Sequence, residues 1–283
     1  MWWKIALAVL GLIFVLIASF IALGNILFRR MVESEARKIF EDSRSSKPNL
    51  ITEDDIRDLP EPVKRYLKYT KILGKEKIET VKLRYKGSFR MREDQKGMPL
   101  KVEQYYTTDP PAFVWYGNIE PVPLISVKAR DMFYSGRGNM LIKLLGLITV
   151  GDEAGPELDQ GTLVRYLSEL IWFPSAALCD YIRWEPIDIN SAKATIDFQG
   201  VTGSAVFYFN EKGEITNVVA DRYMDDNGEW VLRKWSTPIL EYMETDGIRI
   251  PSKGAAVWHL SSGDFKYIEL EVTHIEYNNP SLY

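Results

Sequence analysis

Two residues in "GTLVRYLSELIWFPSAAL" (residues 161–178) are well spaced for chemistry: Arg165 and Glu169, four apart. On a helix that spacing sets a guanidinium against a carboxylate. On an exposed face the pair contributes only about 0.2–0.5 kcal/mol. Buried, Arg165 would fasten the helix to an acid elsewhere in the fold, Asp131 or Asp221. A second polar cluster, "ARDMFYSGRG" (129–138), carries Arg130, Asp131, Tyr134 and Arg137 inside an apolar stretch. On a strand Arg130 and Tyr134 share one face and Asp131 takes the other. An arginine fork suits carboxylate and phosphate groups, so the run reads as an anion pocket or as an internal ion pair beside a glycine turn. Arg222, next to Asp221, reads the same way. Acid–base catalysis would need Arg130, Asp131 and Glu169 to converge in one cleft.

The commoner catalytic and cofactor motifs are absent: no GxGxxG after a strand, no GxxxxGK[ST], no HExxH, no GxSxG. His259 and His274 lie on consecutive expected strands and could face each other across them. A metal there would have to draw on Glu269, Glu271 or Glu276, and the pair reads as structural. The single cysteine, Cys179, excludes an internal disulfide and any multi-cysteine metal site, and reads as a buried inert thiol. No metal or cofactor is expected. Trp115, Trp172, Trp184, Trp230, Trp235 and Trp258 read as core and sheet residues, a subset of which could line a lipid- or sugar-facing groove. A net charge of −4 without a dominant basic patch argues against nucleic acid as a partner.

The elements that must position these residues follow from periodicity. Residues 5–28, "IALAVLGLIFVLIASFIALGNILF", carry no charge, and a helix of that length crosses the roughly 30 Å of a bilayer's hydrocarbon. Trp2 and Trp3 on one side and Arg29 and Arg30 on the other suit interfacial anchoring. The run is long for a signal peptide and no small-x-small site follows it, so it reads as an uncleaved single-pass anchor. Residues 31–57 read as a charged juxtamembrane helix and linker. In it Thr52 and Asp55 have capping-box spacing. "LPEPVKRYLKYTKIL" reads as a helix with Val63, Tyr66, Leu67 and Thr70 on one face. From residue 79 the period becomes two, as in "TVKLRYKGSFRM", and residues 139–150 lean towards strand. Asp159 is expected to cap a helix whose Leu163, Tyr166, Leu167 and Leu170 share a face, with Pro174 ending it. Beyond it, "NEKG", "DDNG", "TDG" and "SSGD" punctuate a meander of antiparallel strands. In the last strand Ile268, Leu270 and Val272 alternate out of phase with Ile275 and Tyr277, which points to strong twist or curvature.

"LPEPVKRYL", "ARDMFYSGRG", "GTLVRYLSELIWFPSAAL", "DGIRIPSKGAAVW" and "THIEYN" together resemble an uncharacterised bacterial and archaeal family whose members often carry N-terminal hydrophobic segments. The resemblance covers about residues 58–279 and implies no activity. The strand-rich plan is also similar to the LolA-like lipoprotein-carrier half-barrel, which implies binding of acyl chains outside the cytoplasm.

The sequence is therefore read as a mainly β (α+β) protein. A transmembrane anchor (1–30) and a linker (31–57) precede one β-rich domain (58–283). That domain is expected to hold a curved sheet of about ten strands with one or two helices packed on it. The expected function is non-enzymatic binding of a lipid or other apolar ligand, with an envelope interaction module or an Arg/Asp/Glu enzyme as alternatives. Arg130, Asp131, Tyr134, Arg165, Tyr166, Glu169, Trp172, Arg222 and Trp258 are the candidate ligand-binding residues. Arg29, Arg30, Arg37 and Lys38 put the body in the cytoplasm by the positive-inside count. The carrier resemblance points outside, and the reading leans that way.

Overall fold

The computed structural model describes residues 2–44, 50–122, 125–226 and 228–283. Fourteen strands form one antiparallel sheet. The first six are β1 (Thr80–Phe89), β2 (Met98–Thr108), β3 (Pro111–Val122), β4 (Ile125–Tyr134), β5 (Arg137–Leu144) and β6 (Ile148–Ala154). The next four are β7 (Ile182–Asp188), β8 (Ser191–Phe198), β9 (Val201–Phe209) and β10 (Ile215–Asp226). β11 (Glu229–Ser236), β12 (Ile239–Thr245), β13 (Ile248–Leu260) and β14 (Gly263–Tyr277) complete the sheet. The helices are α1 (Trp2–Asp42), α2 (Glu61–Tyr69) and α3 (Pro156–Glu169), the last followed by 3₁₀ turns at Leu170–Trp172 and Pro174–Leu178.

The strand order, β6-β5-β4-β3-β2-β1-β14-β13-β11-β10-β9-β8-β7, is two meanders joined where β1 pairs with β14. Its two outer strands, β6 and β7, are consecutive in the chain, so the segment between them must travel from one edge of the sheet to the other. α3 makes that journey inside the curl, touching β3, β4, β5 and β6 on one wing and β8, β9 and β10 on the other. A helix enclosed this way is buried nearly all round. Leu163, Val164, Tyr166, Leu167 and Leu170 are all fully buried. Gly138 lets it come close, since a Cβ there would lie 2.5 Å from Thr162 Oγ1. The result is a curled half-barrel with α3 as its plug.

Several expectations change. Among the described residues the strands number fourteen, not about ten. The apolar run 139–150 divides at a turn where Leu145 and Gly146 take positive φ (54° and 71°), giving β5 and β6. "EWVLRKWSTPILEYME" breaks at Thr237–Pro238 into β11 and β12, which pair with different halves of the long β13. β7 escapes a pattern search because Pro186 and its charged neighbours mask the alternation. α3 begins at Pro156, three residues before Asp159. Asp159 instead accepts from the Gly138 amide at 2.6 Å and from Arg137 at 2.8 Å, tying the helix to β5. Thr52 and Asp55 form one of the two capping-box bonds: the Thr52 amide and hydroxyl both donate to Asp55 Oδ2 at 2.7 Å, but they hold a run of turns.

The irregular pattern of β14 has a definite cause. Its pairing with β1 skips Thr273, and its pairing with β13 skips Tyr267. Each bulge shifts the alternation by one residue. Ile268, Leu270 and Val272 thereby face the same concave side as Ile275 and Tyr277.

The described parts of the stretch expected as stalk and linker, residues 31–44 and 50–57, pack on the body. α1 runs on without a break to Asp42, and Phe28, Val32, Ala36, Ile39 and Phe40 bury against Tyr105, Ala112 and Val114 on the convex face. Ion pairs Arg29–Glu103 (2.5 Å) and Arg130–Glu35 (3.1 Å) and the Tyr134 hydroxyl donating to Asp42 (2.5 Å) flank this seam. Ile51 and Ile56 belong to the main core. Ahead of Gly24 the helix is apolar and stands clear of the body, long and apolar enough to cross a bilayer.

Candidate functional site

The strand register sets the concave face in rows. One row reads Met140, Asp131, Trp115, Gln104, Leu83 and Ile275 across β5, β4, β3, β2, β1 and β14. The next inward row reads Ile142, Ala129, Gly117, Val102, Tyr85 and Val272. α3 lies over the first and aims Arg165 and Glu169 at it.

Arg165 donates from Nη1 to Asp131 Oδ2 at 2.6 Å and from Nε to Glu169 Oε1 at 2.9 Å. Glu169 Oε2 also accepts from Gln104 Nε2 (2.8 Å) and from the Tyr106 hydroxyl (3.0 Å). The guanidinium lies 5.2 Å from the ring centres of both Phe113 and Trp115. Asp131 is wholly buried, and its Oδ1 receives no hydrogen bond from the described residues. Burial alone would favour deprotonated Arg165, but the facing carboxylates outweigh it and hold the side chain charged, its pKa above the usual arginine range. Burial pushes the Tyr85 and Tyr106 phenols up, so both stay neutral.

This network is one wall of a cavity of about 170 Å³. Tyr85, Phe89, Trp115, Trp172, Trp235 and Tyr267 give it an aromatic lining, and Ile239, Ile268 and Leu270 complete it on the aliphatic side. Two backbone features arrange these rings. A Cβ at Gly117 would lie 2.2 Å from the Trp115 ring; glycine there lets the indole lie along its own strand and donate to the Tyr85 hydroxyl at 2.7 Å. The bulge at Tyr267 turns that ring inward, where its hydroxyl accepts from Trp235 Nε1 at 3.1 Å. Trp172 stacks on Tyr85 and donates to the Pro251 carbonyl at 3.2 Å. Arg222 donates from Nε to the Gly161 carbonyl at 2.9 Å and lies over Trp235 (5.1 Å) and Trp258 (5.8 Å). Among the described residues no carboxylate pairs with it.

Of the nine candidate residues, Asp131, Arg165, Glu169, Trp172 and Arg222 line the cavity. Trp258 backs it by stacking on Tyr267. Arg130 and Tyr134 share a face, as alternation requires, but it is the convex face against α1. Arg130 therefore does not meet Asp131 and Glu169, and the three-residue catalytic cleft does not form. Tyr166 belongs to a separate buried cluster, donating to the Thr107 carbonyl at 3.0 Å beside Tyr181. The histidines do not face each other: His259 lies 2.6 Å from Asp264 and 2.8 Å from Ser236, while His274 contacts Tyr283. Asp221, the other acid considered for Arg165, is exposed. Sequence reading missed Gln104, Tyr106, Tyr85 and Tyr267. The alternation Val81, Leu83, Tyr85 could have found Tyr85; only the bulge exposes Tyr267 to the cavity.

One family profile matches the sequence over residues 49–270, a span that holds every residue lining the cavity. The chain belongs to the family of unknown function DUF6544. Among curated proteins none matches the chain. Solved structures similar to this DUF6544 chain include a DUF1329 family protein from Desulfovibrio piger, with 11% identity and a TM-score of 0.44, covering 77% of this chain and 92% of that one. An outer membrane lipoprotein-sorting protein domain from Vibrio parahaemolyticus has 10% identity and a TM-score of 0.40, covering 71% and 86%. A LolA superfamily protein from Nitrosomonas europaea has 10% identity and a TM-score of 0.39, covering 72% and 87%.

Proposed function

We propose that this DUF6544 chain is a membrane-anchored, non-enzymatic binding protein that holds a lipid or other apolar ligand between the curled sheet and α3. The observation that carries the reading is the cavity: an aromatic and aliphatic lining over a polar wall whose charges are already spent on one another. Arg165 is committed to Asp131 and Glu169 and is not available to a reacting group. Arg222 differs. It lines the cavity with no acidic partner among the described residues, so its guanidinium suits the polar or anionic end of an amphiphile. A dry apolar cavity of about 150 Å³ is enough for a benzene ring. The 170 Å³ here takes a ring or one end of an acyl chain, the remainder leaving past Phe89, Ile239 and Ile268. Residues 5–28 supply the anchor, and the reading keeps the body on the extracytoplasmic side. A reporter fused after Tyr283 tests that side.

The test of binding is native mass spectrometry of the full chain, extracted from membranes in mild detergent, beside an Ala256→Phe variant. Ala256 lines the cavity beside its register partner Ile268, and a phenyl ring there fills the space. A co-purifying amphiphile in the parent chain that is lost in a folded Ala256→Phe supports the proposal. No adduct in the parent, or equal adducts in both, overturns it.

A further inference from the structure

The β5–β6 hairpin carries an exposed apolar tip that neither the cavity nor the core uses. Its sequence from residue 144, "LLGLITV", has one polar residue in seven. Leu147, Ile148 and Val150 are 39%, 59% and 59% exposed. The β3–β4 connection adds Val122 (51%) and Ile125 (42%), register partners at the adjoining strand ends. The Leu145 amide donates to the Ser126 carbonyl at 2.8 Å, which binds the two hairpins into one rim. Along β6 the apolar character stops abruptly, and exposed Asp152 and Glu153 follow.

The position of this rim along α1 is fixed by contact. A Cβ on Gly24 would lie 2.4 Å from Leu147 Cδ2, and one on Gly146 would lie 2.6 Å from Asn25 Oδ1. The hairpin tip therefore sits level with residues 24–25, inside the uncharged run 5–28. The next charge along the helix is Arg29, about 6 Å further along the axis at 1.5 Å per residue. On the opposite side of the helix at the same level, Ile26 and Leu27 are exposed. Ahead of Gly24, residues 2–23 span about 33 Å, enough for the hydrocarbon core without the docked turn.

We infer that the rim formed by Val122, Ile125, Leu147, Ile148 and Val150 is a second membrane contact, immersed in the bilayer interface beside the anchor. This rests on residues 5–28 being the membrane anchor. An apolar patch drawn from separate chain segments is a feature of interaction surfaces. The partner is lipid because the patch is continuous with the apolar helix at the depth where that helix is still uncharged. A rim about 6 Å below that charge reaches the headgroup–acyl boundary, the depth at which interfacial apolar faces sit. Lys143, whose ammonium lies 6.0 Å from the Phe28 ring, and exposed Arg30 stand just above it, placed for lipid phosphates, while Arg29 is held by Glu33 and Glu103. Two contacts, a helix and a rim, fix the tilt of the body on the membrane where the helix alone would leave it free to swing.

The test is spin-label accessibility of the full chain in vesicles of phosphatidylcholine and phosphatidylglycerol. Single cysteines replace Leu147, Ile148, Leu16 or Ile189 in a Cys179→Ala background. Ile189 is as exposed and apolar (74%) but lies beside Arg65 of α2, away from the rim. Labels at Leu147→Cys and Ile148→Cys are expected to relax faster with oxygen than with a polar nickel chelate, as at Leu16→Cys. At Ile189→Cys the order is expected to reverse. Lipid-type accessibility at Leu16→Cys with water-type accessibility at both rim sites overturns the rim and leaves the anchor standing. Water-type accessibility at Leu16→Cys overturns both.

Discussion

Replacing Arg165 with methionine removes the one cation that stands between two carboxylates. Glu169 would keep two donors, Gln104 and Tyr106. Asp131 would keep none of its side-chain bonds, since Oδ2 is held by Arg165 alone and Oδ1 has no partner among the described residues. Breaking a buried pair from one side costs about 3–5 kcal/mol, because the surviving charge is left in low dielectric. Asp131 is fully buried, so no solvent relieves it. For a domain of this size the loss corresponds to a fall of about 6–20 °C in Tm. Adding Asp131→Asn to Arg165→Met removes the stranded charge and is expected to restore about half of the loss. The assay is thermal unfolding of the full chain in detergent, followed by near-ultraviolet circular dichroism, for the parent, both single variants and the double. A deficit under about 1 kcal/mol for Arg165→Met, or no coupling with Asp131→Asn, refutes the assignment of Arg165 as a buried fastener.

Gly117→Ala sets a methyl carbon against the Trp115 ring, so the indole must leave Tyr85; a loss of about 1–3 kcal/mol and a red-shifted tryptophan emission are expected. Burial pushes the Cys179 thiol up, leaving less thiolate at any given pH. Alkylation at pH 8 should therefore be slow in the folded chain and fast after unfolding, and fast reaction in the folded chain would count against the packing described. Amides of residues 28–40 should exchange as slowly as those of β2 and β3 if α1 is docked along the sheet, whereas a free stalk would exchange within seconds to minutes.

What was legible in the sequence is what depends on neighbours a few residues apart. The uncharged run 5–28 is a length and a composition, and it identifies a bilayer-length helix wherever it folds. The alternation in "TVKLRYKGSF" makes a strand, and the spacing of Arg165 and Glu169 makes a pair, because both follow from the pitch of the backbone. The opposed faces of Arg130 and Asp131 were legible for the same reason. Which face was inside was not, and that decided their roles: Asp131 met Arg165 in the cavity wall, while Arg130 went to Glu35 on α1. The closure of β1 on β14, the bulges at Thr273 and Tyr267, and the route of α3 from one sheet edge to the other are non-local pairings. They are chosen by the burial of the whole sheet, since a shift of one residue in register moves an entire set of side chains to the opposite face. The cavity exists only because those choices bring rings from β1, β3, β11 and β14 together over a helix in the middle of the chain. No short stretch of sequence contains enough of them to show it.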